Sequence, residues 1–270
     1  MSPFVSECMV LSDHDAMSLL EAGALMSLLP VALAQGAWVR GLGLRLKEPP
    51  GPRAGWTGEA SAEPLRLLVA GGSTAVGVGA RATETSLAPR LAYNLAVRLR
   101  RRVEWQVIGG ADWTAATLQR YFATTGVPDH DISLVLLGVN DVMGVTSLPR
   151  WRRDLDHILD LLDGVRPRLL ACSGVPPMAR VPALPWPLGS LLGERARQLD
   201  GALQGTLQRR FAAVDQTRVH LPVPVGELKD LLARDRFHPS SKGYARWALW
   251  LADRLAQEWR ALPQVLASAG

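Results

Sequence analysis

The chain has 270 residues, of which 48% are hydrophobic and 20% charged, and its formal net charge is +5. This composition excludes a disordered protein and is typical of one large folded domain with or without an appendage. The arginines are scattered and no dense basic run carries interleaved aromatic residues, so we expect no binding to nucleic acid. The two cysteines, Cys8 and Cys172, stand in unlike surroundings, which argues against both a disulfide framework and a cysteine metal site.

Residues 1–47 form an apolar N-terminal segment, and residues 22–39 within it carry no charge. This run is near the lower length limit for a membrane-spanning helix, and Pro30 and Gln35 interrupt it. Two interpretations stay open, a membrane span and a buried or interfacial helix. Acidic residues precede the run and basic residues follow it, which does not fit a secretory signal and would keep the main domain on the cytoplasmic side. We therefore expect a cytoplasmic protein able to associate with the inner face of the membrane through residues 16–39.

Residues 48–64 are rich in proline and glycine and are predicted to be a linker. After them, short apolar runs alternate with helical patterns, as in parallel strands covered by helices on both faces. The pattern predicts an α/β domain over residues 65–260, a three-layer α/β/α sandwich with a mostly parallel sheet, and a C-terminal tail over residues 261–270. The predicted strands are 65–70, 103–108, 132–137, 168–173 and 218–221, and the predicted helices are 86–102, 115–121, 148–163, 188–211 and 241–257.

The glycine-rich turn after the first predicted strand contains Ser73. In a parallel sheet, the turns that follow the strands converge at one edge and form the binding crevice. A phosphate-binding loop would need a lysine in this turn, and none is present. Two uses remain open for Ser73: a nucleophile presented on a sharp turn, or a helix cap.

The turns after the next strands carry further candidates. Gly110 belongs to a glycine turn whose backbone N–H groups can approach a ligand closely, and Trp113 beyond it either walls an acyl pocket or fills the core. The Asn140 amide could point at an oxyanion, although asparagine also favours simple turns. Asp235 precedes His238 by three residues, a spacing at which its carboxylate can bind Nδ1–H and leave Nε2 to accept a proton from a hydroxyl.

These four blocks resemble, in type and in order, those of the SGNH or GDSL hydrolase family over about residues 65 to 260. The resemblance implies a flavodoxin-like sandwich and an esterase, and it implies Ser73 as nucleophile, His238 as general base and Asp235 as the carboxylate that orients it. It further implies an oxyanion hole made by the Ser73 backbone N–H, a second-block N–H and the Asn140 side chain. Gly110 and Asp112 are the candidates for the second-block donor. No cofactor is expected, and no metal, because the other histidines show no ligand spacing.

Two positions depart from the family pattern. Gly72 stands where an aspartate is usual beside the serine, and Asp112 stands where a glycine is usual in the second block. The two turns are expected to be neighbours, so we expect Asp112 to make the loop contacts that an aspartate at position 72 would otherwise make.

The proline-rich segment 175–187 follows the fourth predicted strand and therefore belongs to the same rim. It is either a wall that favours an apolar acyl group or a rigid connection. The residues predicted to contact substrate are Trp113, Val175, Met178 and Trp186. The predicted function is a serine esterase for small-molecule carboxylic esters with an apolar acyl group. The alternatives are an acyltransferase or sugar O-deacetylase that uses the same serine, a catalytically impaired binding module on this fold, and a membrane-associated scaffold.

Overall fold

A computed structural model of the chain describes residues 28–42, 46–59, 63–210, 216–223 and 230–263. The strands are β1 (Ala54–Thr57), β2 (Leu65–Gly71), β3 (Val103–Gly109), β4 (Ile132–Leu136), β5 (Leu169–Ser173) and β6 (Thr217–Leu221). The helices are α1 (Leu29–Leu42), α2 (Leu87–Leu99), α3 (Ala115–Thr125), α4 (Val139–Met143), α5 (Leu148–Asp163), α6 (Leu188–Arg209) and α7 (Ser241–Ala261), with 3-10 turns at Thr83–Thr85 and Met178–Arg180.

The six strands form one sheet in the order β1-β3-β2-β4-β5-β6, in which only β1 runs antiparallel to its neighbour. The five parallel strands follow the flavodoxin-like order, whose topological switch point lies between the first strand and the strand added on its other side. Here that point lies between β2 and β4, so the turns beginning at Gly72 and Leu137 flank the crevice. The predicted α/β/α sandwich is confirmed.

Apolar residues at strand and helix periods explain these elements. All five residues of β4 and of β5 are buried, as expected for strands covered on both faces. In α2, Leu87, Leu91 and Leu95 recur at four-residue spacing and are fully buried, so this stripe faces the sheet. The helices α2 and α7 contribute to one core, and α3, α5 and α6 to the other on the opposite face.

The N-terminal helix α1 packs against α6 rather than standing apart from the domain. Ala32 is buried in the core on the α6 side, and the Gln35 side chain bonds the backbone at the start of α6. Its Nε2 donates to the Trp186 carbonyl at 2.8 Å, and its Oε1 accepts from the Leu188 N–H at 3.2 Å. Within the described residues, no helix combines the length and hydropathy needed to cross a membrane. Residues 1–27 and 43–45 of the apolar segment lie outside the described residues, as does most of the predicted tail, residues 264–270.

The linker predicted for residues 48–64 is instead partly built into the domain. Residues 54–57 form β1, which pairs with β3 from Thr57↔Val103 to Ala54↔Gln106. The Pro50 carbonyl accepts hydrogen bonds from the Thr83 backbone N–H at 3.0 Å and from its hydroxyl at 3.2 Å. A four-residue strand between prolines and glycines gives too few positions for a hydrophobic period to be seen, which is why the composition suggested a linker.

Candidate active site

The serine turn, residues 72–80, leaves the carboxyl end of β2 and carries Ser73. The Gly72 N–H donates to the Leu136 carbonyl of β4 at 3.0 Å, and the Val78 N–H closes the turn on the Ser73 carbonyl at 2.9 Å. Ser73 is buried at 7% exposure. Its backbone N–H has no hydrogen-bond partner within the described part of the chain, and it therefore remains available to an acceptor.

Asp235 and His238 form the close pair that their spacing predicts. The Asp235 Oδ2 atom lies 2.6 Å from His238 Nδ1, while Oδ1 accepts the backbone N–H groups of Phe237 at 3.0 Å and His238 at 3.1 Å. One carboxylate thus receives three hydrogen bonds and fixes both the loop and the imidazole. In the neutral imidazole, a proton on Nδ1 meets this carboxylate, and Nε2 is then the nitrogen that can accept a proton.

Two opposing effects act on the Asp235 carboxyl. Its burial favours the neutral form, but the hydrogen bonds from the His238 side chain and from the backbone of Phe237 and His238 favour the ionised form. The hydrogen bonds prevail, and the pKa of Asp235 is lowered from its ordinary value. The carboxylate is therefore ionised at neutral pH.

The loop with Asp235 and His238 packs on the serine turn. Gly79 has a φ of +97°, and a Cβ there would stand 2.3 Å from the Pro239 carbonyl oxygen and 3.1 Å from His238 Cβ, so only glycine fits. The Tyr244 hydroxyl of α7 donates to the Val78 carbonyl at 2.7 Å. The structure thus brings the two blocks together, although the described residues include no hydrogen bond between the Ser73 hydroxyl and the His238 imidazole. Catalytic hydrogen bonds of this kind are often looser before substrate binds.

The loop after β3 does not present the second-block donors in the predicted way. The Gly110 N–H donates to the Gly71 carbonyl at 3.3 Å, and the Ala111 N–H donates to the Glu48 carboxylate at 3.0 Å. Gly110 is therefore already bonded within the protein. The Asp112 side chain is exposed and makes no hydrogen bond to any described residue, so the expected contacts between Asp112 and the serine turn are not made.

The Asn140 amide is also engaged. Its Nδ2 donates to the carbonyls of Ala111 and Trp113, each at 3.0 Å. In a trans peptide the C=O and N–H groups point in opposite directions. Because the Ala111 carbonyl faces Asn140, the Asp112 N–H of the same peptide points away from it. The predicted donors therefore do not converge in this conformation: the Gly110 N–H and the Asn140 amide are bonded within the protein. The Ser73 and Asp112 N–H groups have no hydrogen-bond partner among the described residues.

Gly72 and Asp141 explain how Asn140 is held. A Cβ at Gly72 would lie 3.2 Å from Asn140 Nδ2. A side chain at position 72 would therefore begin in tight contact with the Asn140 amide. Asp141 is fully buried and accepts the Ala115 N–H at the start of α3 and the Thr146 hydroxyl, both at 3.1 Å. Burial raises the pKa of Asp141, and these two hydrogen bonds only partly oppose it. Asp141 thus fastens the turn after β4 to α3.

The predicted substrate contacts do not form one wall. Met178 is fully buried in the core, because the proline-rich loop folds back through a 3-10 turn onto α6; as a substrate contact it is corrected to a core residue. Trp113 packs on the same core, with its ring centroid 5.1 Å from that of Tyr121. Val175 is buried beside Gly138, whereas Trp186 is 67% exposed and its carbonyl binds α1.

Several residues around the site escaped the sequence analysis. Glu48 and Arg53 reach the loop after β3, and Asp200 accepts the Val175 N–H at 2.8 Å and contacts His220 Nε2 at 2.9 Å. For Glu48 and Arg53, the sequence offered one signal: they are two residues of opposite charge in an otherwise proline-rich segment. Over the described ranges, no group of three or more His, Cys, Asp or Glu side chains is arranged to hold a metal ion.

Comparisons with known proteins identify a family and a set of solved structures with a similar fold. The model of the GDSL-like lipase/acylhydrolase family matches residues 69–246. A comparison with curated proteins gives no match. Three similar solved structures are a G-D-S-L family protein from Desulfitobacterium hafniense DCB-2 (13% identity, TM-score 0.53), a family 3 carbohydrate esterase from Talaromyces cellulolyticus (17%, 0.52) and the esterase EstA from Pseudoalteromonas sp. (12%, 0.51). They cover 70%, 74% and 70% of this chain and 98%, 100% and 97% of their own.

At these identities the solved structures show a shared fold, and the family model spans most of the chain. It includes Ser73, Asn140, Asp235 and His238, the residues that carried the resemblance. The chain belongs to the GDSL-like lipase/acylhydrolase family and is a hydrolase of the esterase type.

Proposed function

We propose that the protein is a serine esterase that hydrolyses carboxylic esters through an acyl-enzyme on Ser73. The observation that carries the proposal is the 2.6 Å contact between Asp235 and His238 Nδ1, in a loop packed directly on the serine turn. An ionised carboxylate at Nδ1 holds the imidazole in the tautomer that a general base needs.

In the proposed mechanism, His238 Nε2 takes the Ser73 hydroxyl proton while Oγ attacks the ester carbonyl. The imidazolium formed is stabilised by Asp235 and returns the proton to the departing alcohol oxygen. Water then attacks the acyl-enzyme with His238 again as base, releasing the carboxylic acid and restoring Ser73. The negative oxygen of each tetrahedral intermediate would be met by the Ser73 N–H, and by the Asn140 amide once it exchanges a carbonyl contact for this stronger acceptor.

The proposed substrate is a small ester with an apolar acyl portion. Trp113 supports this, because its ring is only partly buried and lies against Gly110 in the loop after β3. An acyltransferase or a sugar O-deacetylase would use the same serine, so the acceptor and the acylated partner need to be varied in the assay.

Association with a membrane surface is a further part of the proposal. On α1, Leu29, Val31 and Leu33 are exposed at 39%, 48% and 63%, and the exposed Trp186 follows in the loop that α1 binds. Exposed apolar side chains on one helix can enter the headgroup region of a bilayer. Sedimentation with anionic phospholipid vesicles should therefore carry the protein down, and protein that stays in the supernatant would argue against this part.

The deciding experiment measures hydrolysis of p-nitrophenyl acetate, butyrate and octanoate by wild type, Ser73→Ala and His238→Ala. Each variant should lose at least about 10³-fold in kcat. Ser147→Ala and His157→Ala are matched controls, because both side chains are exposed on α5 or at its start. Ser73-dependent labelling by a serine-directed phosphonate adds a direct readout. Activity that survives both Ser73→Ala and His238→Ala would overturn the mechanism. Adding acetylated glycans as substrates and alcohols as acyl acceptors to the assay distinguishes a hydrolase from a deacetylase and from a transferase.

A further inference from the structure

A strap of six residues, 48–53, lies upstream of the family match and contacts the loop after β3 and the 3-10 turn Thr83–Thr85 that follows the serine turn. We propose that Glu48 in this strap is a positioning residue, which holds the loop after β3 so that the loop carbonyls keep the Asn140 amide in place. The proposal rests on the proposed function, since it assigns Glu48 a part in the same ester hydrolysis.

At the end of β3 and in the loop after it, the strap makes two charge-assisted contacts. Glu48 Oε1 accepts the Ala111 N–H at 3.0 Å, and Arg53 Nη1 donates to the Gly109 carbonyl at 2.6 Å. Arg53 also forms an ion pair with Glu48, which links the two contacts. Hydrogen bonds with one ionised partner are about twice as strong as neutral ones. The strap therefore holds the end of β3 and the start of the following loop at two points only two residues apart.

The middle of the strap is bonded to the 3-10 turn that follows the serine turn, and it lies beside Gly77 of the serine turn. The Pro50 carbonyl accepts two hydrogen bonds from Thr83, and a Cβ at Gly77 would stand 3.4 Å from Pro49 Cγ. The strap thus spans the gap between the turn that carries Ser73 and the loop after β3.

The path from Glu48 to Asn140 runs through a single residue. Ala111 is held at its N–H by Glu48 and at its C=O by Asn140 Nδ2. The exposed Asp112 next to it makes no hydrogen bond to a described residue and cannot substitute for Glu48. Without Glu48, the Ala111 N–H loses its acceptor, the loop gains freedom, and the carbonyls that orient the Asn140 amide move with it.

Misplacing an oxyanion donor weakens an interaction that is made fully only in the transition state. Such a loss lowers kcat and leaves KM nearly unchanged. Removing one donor altogether costs about 10²–10³-fold in kcat. Loosening the donor costs less than removing it, so we expect Glu48→Ala to lower kcat about tenfold, which is the effect of a barrier higher by about 1.4 kcal/mol.

The test compares Glu48→Ala, Glu48→Gln and Glu48→Asp in the full chain, with kcat and KM measured on p-nitrophenyl butyrate. A glutamine keeps an acceptor oxygen at the same reach, so Glu48→Gln should stay within about threefold of wild type. An aspartate keeps the charge but is shorter by one methylene and withdraws the acceptor, so Glu48→Asp should fall with Glu48→Ala. Glu63→Ala is the matched control, because Glu63 pairs with Arg101 at an exposed site. Circular dichroism establishes that each variant is folded.

A double-mutant cycle with Asn140→Ala shows whether Glu48 acts through Asn140. If it does, Glu48→Asp lowers kcat in the wild-type background and has little further effect in the Asn140→Ala background. Full additivity, or an aspartate that behaves like wild type while glutamine fails, would overturn the proposal. Esterase activity that persists in Ser73→Ala would instead refute the proposed function, whereas Ser73-dependent activity unaffected by all three Glu48 variants would refute only the role of Glu48.

Discussion

Replacing Asp235 by asparagine tests the acid–base pair most directly. In wild type, Asp235 receives the His238 Nδ1–H at 2.6 Å and two backbone N–H groups at 3.0 and 3.1 Å. The asparagine of the variant can use its carbonyl oxygen for the backbone groups, which leaves its NH₂ facing His238 Nδ1. His238 Nδ1 must then accept a hydrogen bond from this NH₂ group. The imidazole proton therefore moves to Nε2, where it blocks general-base catalysis toward Ser73.

The size of the effect follows from this change of tautomer. The substitution preserves the shape of the loop but removes the tautomer of His238 that carries its proton on Nδ1. In enzymes with a Ser-His-Asp triad, this change lowers kcat by about 10⁴-fold. That factor equals about 5.4 kcal/mol of lost transition-state stabilisation. Because substrate binding does not need the Nε2 lone pair, KM should change little.

A stability measurement gives the same substitution a second readout. The pKa of Asp235 is lowered in the folded protein, so its contribution to stability is complete above its ordinary pKa of about 3.9 and is lost as the pH falls through the lower folded value. The difference in urea midpoint between wild type and Asp235→Asn should therefore be largest near pH 7 and shrink below about pH 4.

The assay is hydrolysis of p-nitrophenyl butyrate at pH 7 to 8, with Asp253→Asn as the control. Asp253 also accepts a hydrogen bond at 2.6 Å, from Arg98, but its side chain is 64% exposed on α7. The control should retain full activity. An Asp235→Asn enzyme that is folded and keeps more than a tenth of the wild-type kcat would refute the reasoning.

Two further substitutions probe how the site is supported. Tyr244→Phe removes the 2.7 Å hydrogen bond to the buried Val78 carbonyl, so the free energy of unfolding, measured in urea, should fall by about 1–3 kcal/mol; an unchanged value would mean that water replaces the hydroxyl. Met178→Ala should lower it by about 2–5 kcal/mol through the cavity left in the core, with KM for the octanoate ester unchanged. A raised KM for the octanoate ester with no loss of stability would instead indicate that Met178 contacts the substrate.

The sheet could be predicted because its strands are unbroken apolar runs. Residues 132–137 and 168–173 have no polar alternation, and in the structure β4 and β5 are buried throughout. The predicted helix 148–163 coincides with α5, whose apolar stripe repeats regularly. By contrast, β1 has four residues and half of them are exposed, so its place in the sheet depends on pairing with β3 rather than on a pattern of its own.

The candidate acid–base pair could be predicted because it is local. Asp235 and His238 are three residues apart, and the loop needs only one turn to bring them into contact. Whether the second-block N–H groups are available could not be predicted, because the availability of an N–H depends on acceptors elsewhere in the fold. Gly110 is bonded to Gly71, and Ala111 is bonded to a carboxylate 63 residues away in sequence. No spacing rule encodes either contact.

The strand β1 also decides where the protein can be shortened. It covers one side of β3 along four residues, and a chain that begins at residue 65, the start suggested by the sequence pattern, would leave that side of β3 without a partner. An uncovered edge with free N–H and C=O groups invites pairing with a second molecule. A shortened form for expression or crystallisation should therefore begin before the strap, since a later start would expose the edge of β3 and promote aggregation.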